Sequence, residues 1–141
     1  NPILWRSVYQ SGTTLYTDRL RILGEDNSLW KQGSRLQLFR EDDLSAQALA
    51  DPRIRRDFAR FSYFSAGWTA LADDDASVVG DARYSLRRDG FEPIWGVRFH
   101  PGSVAATEWV DYTARNRIPI SELWSEISAT AAGYRKVREL P

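Results

Sequence analysis

The strongest constraint on this chain is an alternation of apolar and polar side chains at a period of two residues. Within Ile94–His100, every second residue from Trp95 to Phe99 is a large apolar one. Successive side chains of a β-strand point to opposite faces, so this spacing is typical of a strand with one buried face. Strands of this kind build antiparallel sheets, whose second face can meet water. We therefore expect the chain to fold around an antiparallel sheet.

The predicted strands form two groups along the chain. In the first group, a turn at 10–13 joins two strands, and Tyr16, Leu20 and Ile22 form the apolar side of the second strand. A further extended piece is expected at Leu36–Phe39. The predicted strands are Leu4–Tyr9, Leu15–Leu23, Tyr63–Ala72, Ser77–Leu86 and Ile94–His100.

A helical segment separates the two groups of strands. Asp51 is suited to cap the start of a helix, with Pro52 at the first helical position. Ile54, Phe58 and Phe61 then recur at spacings of four and three, which places them on one helix face. The remaining faces are rich in arginine. We interpret them as solvated, with a basic patch for a lipid headgroup or nucleic acid as the alternative.

A second helix is predicted to begin at Ser121, with Leu123, Trp124 and Ile127 on its apolar side. The order of strands, helix, strands and helix indicates the α+β class. We expect residues 1–141 to form a single soluble domain, in which helices pack on one face of an antiparallel sheet. The length of 141 residues fits one domain.

Composition narrows the classes of function. Nineteen Lys and Arg residues balance nineteen Asp and Glu residues, so no overall field favours DNA, RNA or anionic lipid. We therefore expect no nucleic-acid partner. No apolar run reaches the roughly 18 residues that a membrane-spanning helix needs. The chain contains no Met and opens with Asn1, so we expect it to be a piece of a longer protein.

The chain lacks the residues that metal binding or nucleophilic catalysis usually needs. His100 is the single histidine and there is no cysteine, whereas a catalytic zinc usually takes three protein ligands. The acidic run Asp73–Asp75 suits a turn and does not match the spacing of a calcium loop. Ser62 and Ser65 do not stand in a nucleophile elbow, and no Gly-rich phosphate loop precedes a helix. We assign no catalytic residue, metal ligand or cofactor to this chain.

Asp81, Arg83 and Arg98 form the one polar constellation that points to a site. Asp81 and Arg83 are two residues apart on a predicted strand, so their side chains share a face, and Arg98 is expected from a neighbouring strand. A carboxylate beneath a helix must be paired, because an unpaired buried charge is costly. The structural interpretation is an internal ion pair that fixes strand register. The functional interpretation is an arginine pair open to a carboxylate or phosphate ligand.

Two tryptophans, Trp68 and Trp95, also have two interpretations. With Phe64 and Phe99, they recur at period two and are expected to form a core or an apolar sheet face. The alternative is a ligand groove, since binding pockets are mostly apolar and aromatic.

Four strings occur in a fixed order along the chain. They are Asn1–Arg6 (NPILWR), Arg60–Trp68 (RFSYFSAGW), Gly80–Tyr84 (GDARY) and Pro93–Phe99 (PIWGVRF). Together they resemble the C-terminal region of bacterial inner-membrane proteins classed as metal-dependent hydrolases, relatives of the LexA-binding, inner-membrane-associated hydrolase family. The resemblance covers about residues 1–100.

The resemblance implies a longer protein whose N-terminal membrane helices carry a His-containing motif and a divalent metal. No ligand of that motif matches a residue of this chain. The positions most characteristic of the family here are the string Asp81–Arg83 and Arg98. The resemblance also implies tethering to the bacterial inner membrane, on a side that the sequence leaves open.

Three hypotheses of function follow. The first is a non-catalytic accessory domain of a membrane-bound hydrolase, which covers the membrane site, binds a ligand or protein partner, or stabilises a homo-oligomer. The second is a small-ligand module with an apolar pocket. The third is a self-contained hydrolase that works through carboxylates such as Asp81 and Glu92.

Overall fold

The computed structural model describes residues 3–22, 29–85, 87, 90–113 and 135–136. Eight strands, a 3₁₀ turn and two helices occupy these residues, and the α+β class is confirmed. The strands are β1 Ile3–Ser11, β2 Thr14–Ile22, β3 Leu29–Gln37, β4 Thr69–Leu71, β5 Val78–Asp81, β6 Trp95–Phe99, β7 Thr107–Asp111 and β8 Arg135–Lys136. The 3₁₀ turn is Glu41–Asp43, and the helices are α1 Ala46–Ala50 and α2 Pro52–Phe64.

The strands divide into two antiparallel sheets rather than one. The first sheet has the order β1-β2-β3-β8 and the second has the order β4-β5-β6-β7. The chain passes between them just after β3, where the backbone N–H of Leu38 donates to the Thr13 carbonyl at 2.9 Å. The next N–H, that of Phe39, donates to the Thr69 carbonyl of β4 at 2.7 Å. Two consecutive residues thus join the sheets, and they lie in the extended piece expected from the sequence.

The buried face of β2 differs from the apolar side predicted for it. Leu15 and Thr17 are buried, whereas Ile22 is 39% exposed. The reason is tertiary: Leu15 packs with Leu36 of β3 and Phe91 against the second sheet. The side of β2 that is buried against the rest of the molecule is therefore the side that the alternation predicted to be polar.

A β-bulge in β3 accounts for a second irregularity of this sheet. Tyr16 pairs with Arg35 and Asp18 pairs with Gln32, so two residues of β3 lie opposite Thr17. The Thr17 hydroxyl accepts a hydrogen bond from the Ser34 N–H at 2.9 Å. An added Cβ on the neighbouring bulge residue, Gly33, would lie 2.1 Å from the Thr17 carbonyl oxygen. Only glycine fits there without a shift of backbone.

Helix α2 begins as its sequence predicts. The Asp51 carboxylate accepts a hydrogen bond from the Arg53 N–H at 2.9 Å, and Pro52 takes the first turn. The stripe of Ile54, Phe58 and Phe61 is buried. It packs on one face of the second sheet, in a cluster that includes Val79 and Val97.

The strand predicted from Tyr63 to Ala72 is wrong in its first half. Helix α2 continues to Phe64, and a turn follows in which Ala66 has a φ of 52°. The period-two aromatic residues at 64–68 belong to the end of a helix and a turn, and only Thr69–Leu71 pairs as a strand. Helical hydrogen bonds that began at Asp51 continue through this segment and override the local alternation.

No strand was predicted at β7, which pairs with β6 from Phe99↔Thr107 to Trp95↔Asp111. The helix predicted from Ser121 lies outside the described residues. Of the helices in the described part of the chain, none combines the length and apolar character of a membrane span.

Candidate functional site

Asp81 and Arg83 form a tight ion pair at the end of β5. Asp81 is 0% exposed, and its two carboxylate oxygens accept hydrogen bonds from Arg83 Nε at 2.9 Å and Arg83 Nη2 at 2.6 Å. Hydrogen bonding to this carboxylate raises the pKa of Arg83 further above its ordinary value. Arg83 Nη2 also donates to the Phe64 carbonyl at 2.8 Å. The pair thereby ties the end of β5 to the C-terminus of α2.

Arg98 does not join this pair, so the three-residue constellation does not form. In the sheet register Arg98 lies opposite Val78, and its side chain points away from α2. Its three nitrogens donate to Ser77 Oγ at 2.8 Å, Glu108 Oε2 at 2.8 Å and Asp75 Oδ2 at 2.7 Å. Each guanidinium nitrogen of Arg98 thus donates to an acceptor of this chain, and two of the three acceptors are carboxylates.

The Arg98 network extends to the single histidine. His100 Nε2 lies 3.0 Å from Glu108 Oε2, the same oxygen that accepts from Arg98. The pKa of Glu108 is lowered, first by the hydrogen bond with His100 and then by that with Arg98. The pKa of Asp75 is lowered by hydrogen bonds from Ser77 and from Arg98. This network is a set of mutually satisfied charges on the sheet face opposite α2.

The two tryptophans expected to share a groove lie in different parts of the core. Trp68 packs against the cluster that joins the two sheets, which contains Leu15 and Phe91. Trp95 packs against the cluster beneath α2. They separate because Trp68 precedes β4 in a turn, while Trp95 stands on β6, two strands away.

The apolar groove of the described structure lies instead between α2 and β7. Its volume is about 380 Å³. Trp109 is 56% exposed and Phe64 is 52% exposed, and both rings contact Phe61, with centroids at 6.1 and 6.3 Å. We call this the aromatic groove. Its lining residues are Asp57, Arg60, Phe61, Phe64, Val97, Thr107 and Trp109.

The aromatic groove continues toward the Asp81–Arg83 pair through a chain of rings. Phe64 contacts Trp95 with centroids 6.2 Å apart, and Trp95 contacts Tyr84 at 5.1 Å. The Arg83 guanidinium lies 6.0 Å from the Phe64 centroid and 5.4 Å from that of Tyr84, within the range of cation–π attraction. The ion pair therefore positions the rings that extend the groove.

Charged groups lie at the Thr107 end of the aromatic groove. Asp57 Oδ2 accepts from the Thr107 hydroxyl at 3.0 Å. Asp57 Oδ1 is 3.3 Å from Arg56 Nε and 3.7 Å from Arg60 Nη1. Two arginines thus share one carboxylate, and this end carries surplus positive charge. Sequence reasoning missed the site because Trp109 lies on a strand that gave no clear alternation.

A larger cavity of about 520 Å³ lies between the β1–β2 turn and the end of α2. Arg40, Glu41 and Ser62 line it together with apolar residues such as Phe58. It gathers no exposed rings comparable to Phe64 and Trp109, so the aromatic groove is the stronger candidate.

Neither the arrangement of possible metal ligands nor comparison with known proteins identifies a function. Within the described ranges, no group of three or more His, Cys, Asp or Glu residues is placed to hold a metal ion. No family model, curated protein or solved structure matches this chain. The resemblance to membrane-bound hydrolases stays a prediction from the sequence strings.

Proposed function

We propose that this chain is an interaction domain, itself non-catalytic, that holds an apolar segment of a partner in the aromatic groove. The observation that carries the proposal is the half-exposure of Trp109 and Phe64 on either side of Phe61. Contact between apolar rings and water is unfavourable, so a partner that covers the rings gains free energy of binding. Patches of neighbouring exposed rings are typical of binding sites.

The expected affinity follows from the area that a partner would cover. A large ring buries about 200 Å², so covering the exposed half of one ring is worth about 2 kcal/mol. The two rings together are worth about 4 kcal/mol before the losses of association, which corresponds to a dissociation constant of about 1 mM at best. Tighter binding therefore needs contacts beyond the two rings. A binding domain of this kind acts in a complex or beside a tethered partner.

The geometry of Asp81 favours binding over hydrolysis. A general base must reach a substrate proton, but Asp81 is fully buried and both its oxygens accept from Arg83. Glu92, the other carboxylate of the hydrolase hypothesis, lies 3.3 Å from Arg87 in an ion pair. Neither group supports the self-contained hydrolase as well as the groove supports a binding role.

The wider setting of the domain belongs to the same proposal. On the resemblance of its strings, we place the domain beside the membrane segment of an inner-membrane hydrolase, which would hold a divalent metal and could form a homo-oligomer. The coding sequence upstream of Asn1 tests this setting. Several apolar helices with clustered His and Asp are expected. Their absence would remove the membrane setting and leave the groove untouched.

The groove itself is tested with 1-anilinonaphthalene-8-sulfonate, an aromatic anion that fluoresces when bound to apolar surface. Trp109→Ala and Phe64→Ala should each weaken its dissociation constant by about fivefold to tenfold, because each removes one wall of the groove. Trp5→Ala is the matched control, since Trp5 is 59% exposed on the first sheet. Equal binding by the Trp109 variant and the parent chain would overturn the proposal.

A further inference from the structure

We infer that the occupant of the aromatic groove is an extended peptide that pairs with β7 as an additional antiparallel strand. This inference rests on the proposed function and names the partner's chemistry. Along its length, from N- to C-terminus, the peptide carries a basic, an apolar and an acidic side chain at alternate positions.

The first step concerns the backbone of β7. This strand is last in the order β4-β5-β6-β7, and within the residues described it pairs only with β6. An edge strand presents N–H and C=O groups on its outer side, which can pair with an incoming strand. Every pairing within the second sheet is antiparallel, so an added strand continues the sheet most simply in that direction.

The second step concerns the faces of β7. Trp109 lies opposite Val97 in the register and contacts Phe61 of α2, so the odd-numbered residues of β7 face the helix. Glu108 points to the opposite face, where it meets Arg98. Side chains of neighbouring strands that lie opposite each other share a face. Alternate residues of an added strand therefore enter the groove beside Thr107 and Trp109, and the next one on the same face lies beside Asp111, outside the groove lining.

The third step concerns the charges along the groove. The position beside Trp109 meets rings and accepts an apolar side chain. The position beside Thr107 is close to the end where Arg56 and Arg60 share Asp57, and it favours an acidic side chain. The position beside Asp111 meets a carboxylate of which one oxygen, Oδ1, accepts from the Thr113 N–H and hydroxyl, and its negative charge favours a basic side chain. In antiparallel pairing the residue beside Asp111 comes first, which sets the order basic, apolar, acidic.

The test uses the full chain and a fluorescein-labelled peptide with the sequence Thr-Lys-Thr-Leu-Thr-Glu-Thr, measured by fluorescence anisotropy. Trp109→Ala should weaken its dissociation constant by about tenfold, while Trp5→Ala should change it by less than about twofold. A peptide with Lys and Glu exchanged should bind about fivefold more weakly. Arg60→Glu should remove that preference. Arg55→Glu, a change on the same helix outside the groove lining, should leave it.

Backbone pairing is tested by N-methylation at alternate peptide residues. Only every second residue of an added strand directs its N–H toward β7. Methylation of one alternate set should therefore abolish binding, and methylation of the other set should change it by less than about threefold. Equal effects of the two sets, or none, would overturn strand pairing.

The two proposals fail separately. If the aromatic anion binds in the groove but neither peptide does, strand addition is wrong and the binding function stands. If neither the anion nor the peptide depends on Trp109, both are wrong. A dimer of this chain that Trp109→Ala dissociates in analytical ultracentrifugation would identify a second copy as the occupant, which would also overturn the peptide proposal.

Discussion

At the scale of single residues, Arg83 makes the most varied contacts of the candidate site. Its guanidinium satisfies a fully buried carboxylate, donates to the last carbonyl of α2, and lies against the rings of Phe64 and Tyr84. Lysine could supply the charge but not the paired geometry, because only the guanidinium presents a planar fork of donors. The side chain is thus a structural support for the aromatic surface.

Replacing Arg83 tests this role. Arg83→Ala leaves Asp81 buried without a countercharge, so the free energy of unfolding should fall by about 3 kcal/mol or more. Urea denaturation at neutral pH measures the change. Arg87→Ala is the control, because both ion pairs of Arg87, with Asp74 and with Glu92, keep solvent-exposed atoms, and their loss should cost less than about 1 kcal/mol. Similar losses for the two variants would contradict the assigned role.

At the scale of elements, the bulge in β3 is an irregularity with a steric cause. Two residues opposite Thr17 place the Thr17 hydroxyl between the Ser34 N–H and C=O groups. The close approach of the two backbones at Gly33 makes this arrangement sensitive to one added carbon atom.

Gly33→Ala should therefore destabilise the protein. The new Cβ would lie 2.1 Å from a backbone oxygen that cannot rotate away, and overpacking of this kind costs about 1–3 kcal/mol. Thermal unfolding followed by circular dichroism measures the loss. Gln32→Ala, an exposed change at the adjacent position, should stay within about 0.5 kcal/mol. A Gly33 variant as stable as the Gln32 variant would show that the strand relaxes at no cost.

The network that links β6 and β7 predicts a dependence on pH. Because His100 and Arg98 lower the pKa of Glu108 below its ordinary 4.5, folding favours the ionised carboxylate. Its contribution to stability is complete above pH 4.5 and is lost as the pH falls through the lower folded-state pKa. Asp75 in the same network acts in the same direction.

Comparison with Glu108→Gln isolates this contribution. The parent chain should be more stable than the variant at neutral pH, and the difference should vanish as the pH falls below 4.5, the ordinary value for glutamate. Urea denaturation between neutral and acidic pH measures it. A difference that stays constant across this range would mean that the loss comes from packing rather than charge.

At the scale of the whole molecule, the two sheets depend on each other. Leu15 of the first sheet is 0% exposed, in a cluster with Ala70 of the second sheet and Phe91 from the loop before β6. The Leu38 and Phe39 backbone bonds lie beside this cluster. This buried contact packs the first sheet against the second sheet, so the first sheet is not a separate arm.

Leu15→Ala is expected to weaken both sheets together. Truncation of a fully buried leucine costs about 2–5 kcal/mol. Hydrogen exchange should show the loss of protection in β2 and also in β5. Loss confined to β1–β3 would mean that the first sheet unfolds by itself. Ile22→Ala, at the 39% exposed end of the same strand, is the control and should cost much less.

The sequence was sufficient to predict those elements that are determined by interactions between residues close together in the chain. The start and the buried stripe of α2 follow from Asp51, Pro52 and the spacing of Ile54, Phe58 and Phe61, because capping and helical periodicity act within a few residues. The first hairpin follows likewise from a turn that joins neighbouring strands. The α+β class was predictable on the same basis.

Only the tertiary structure decided which distant residues of the chain contact one another. The sequence placed Arg98 with Asp81 and Trp68 with Trp95, but strand register sets Arg98 beside Asp75 and Glu108, and the two tryptophans pack in different clusters. Such pairings join residues far apart in the chain, and no periodicity encodes which strands meet. The aromatic groove has the same origin, because it exists only where α2 crosses a strand that begins more than forty residues later.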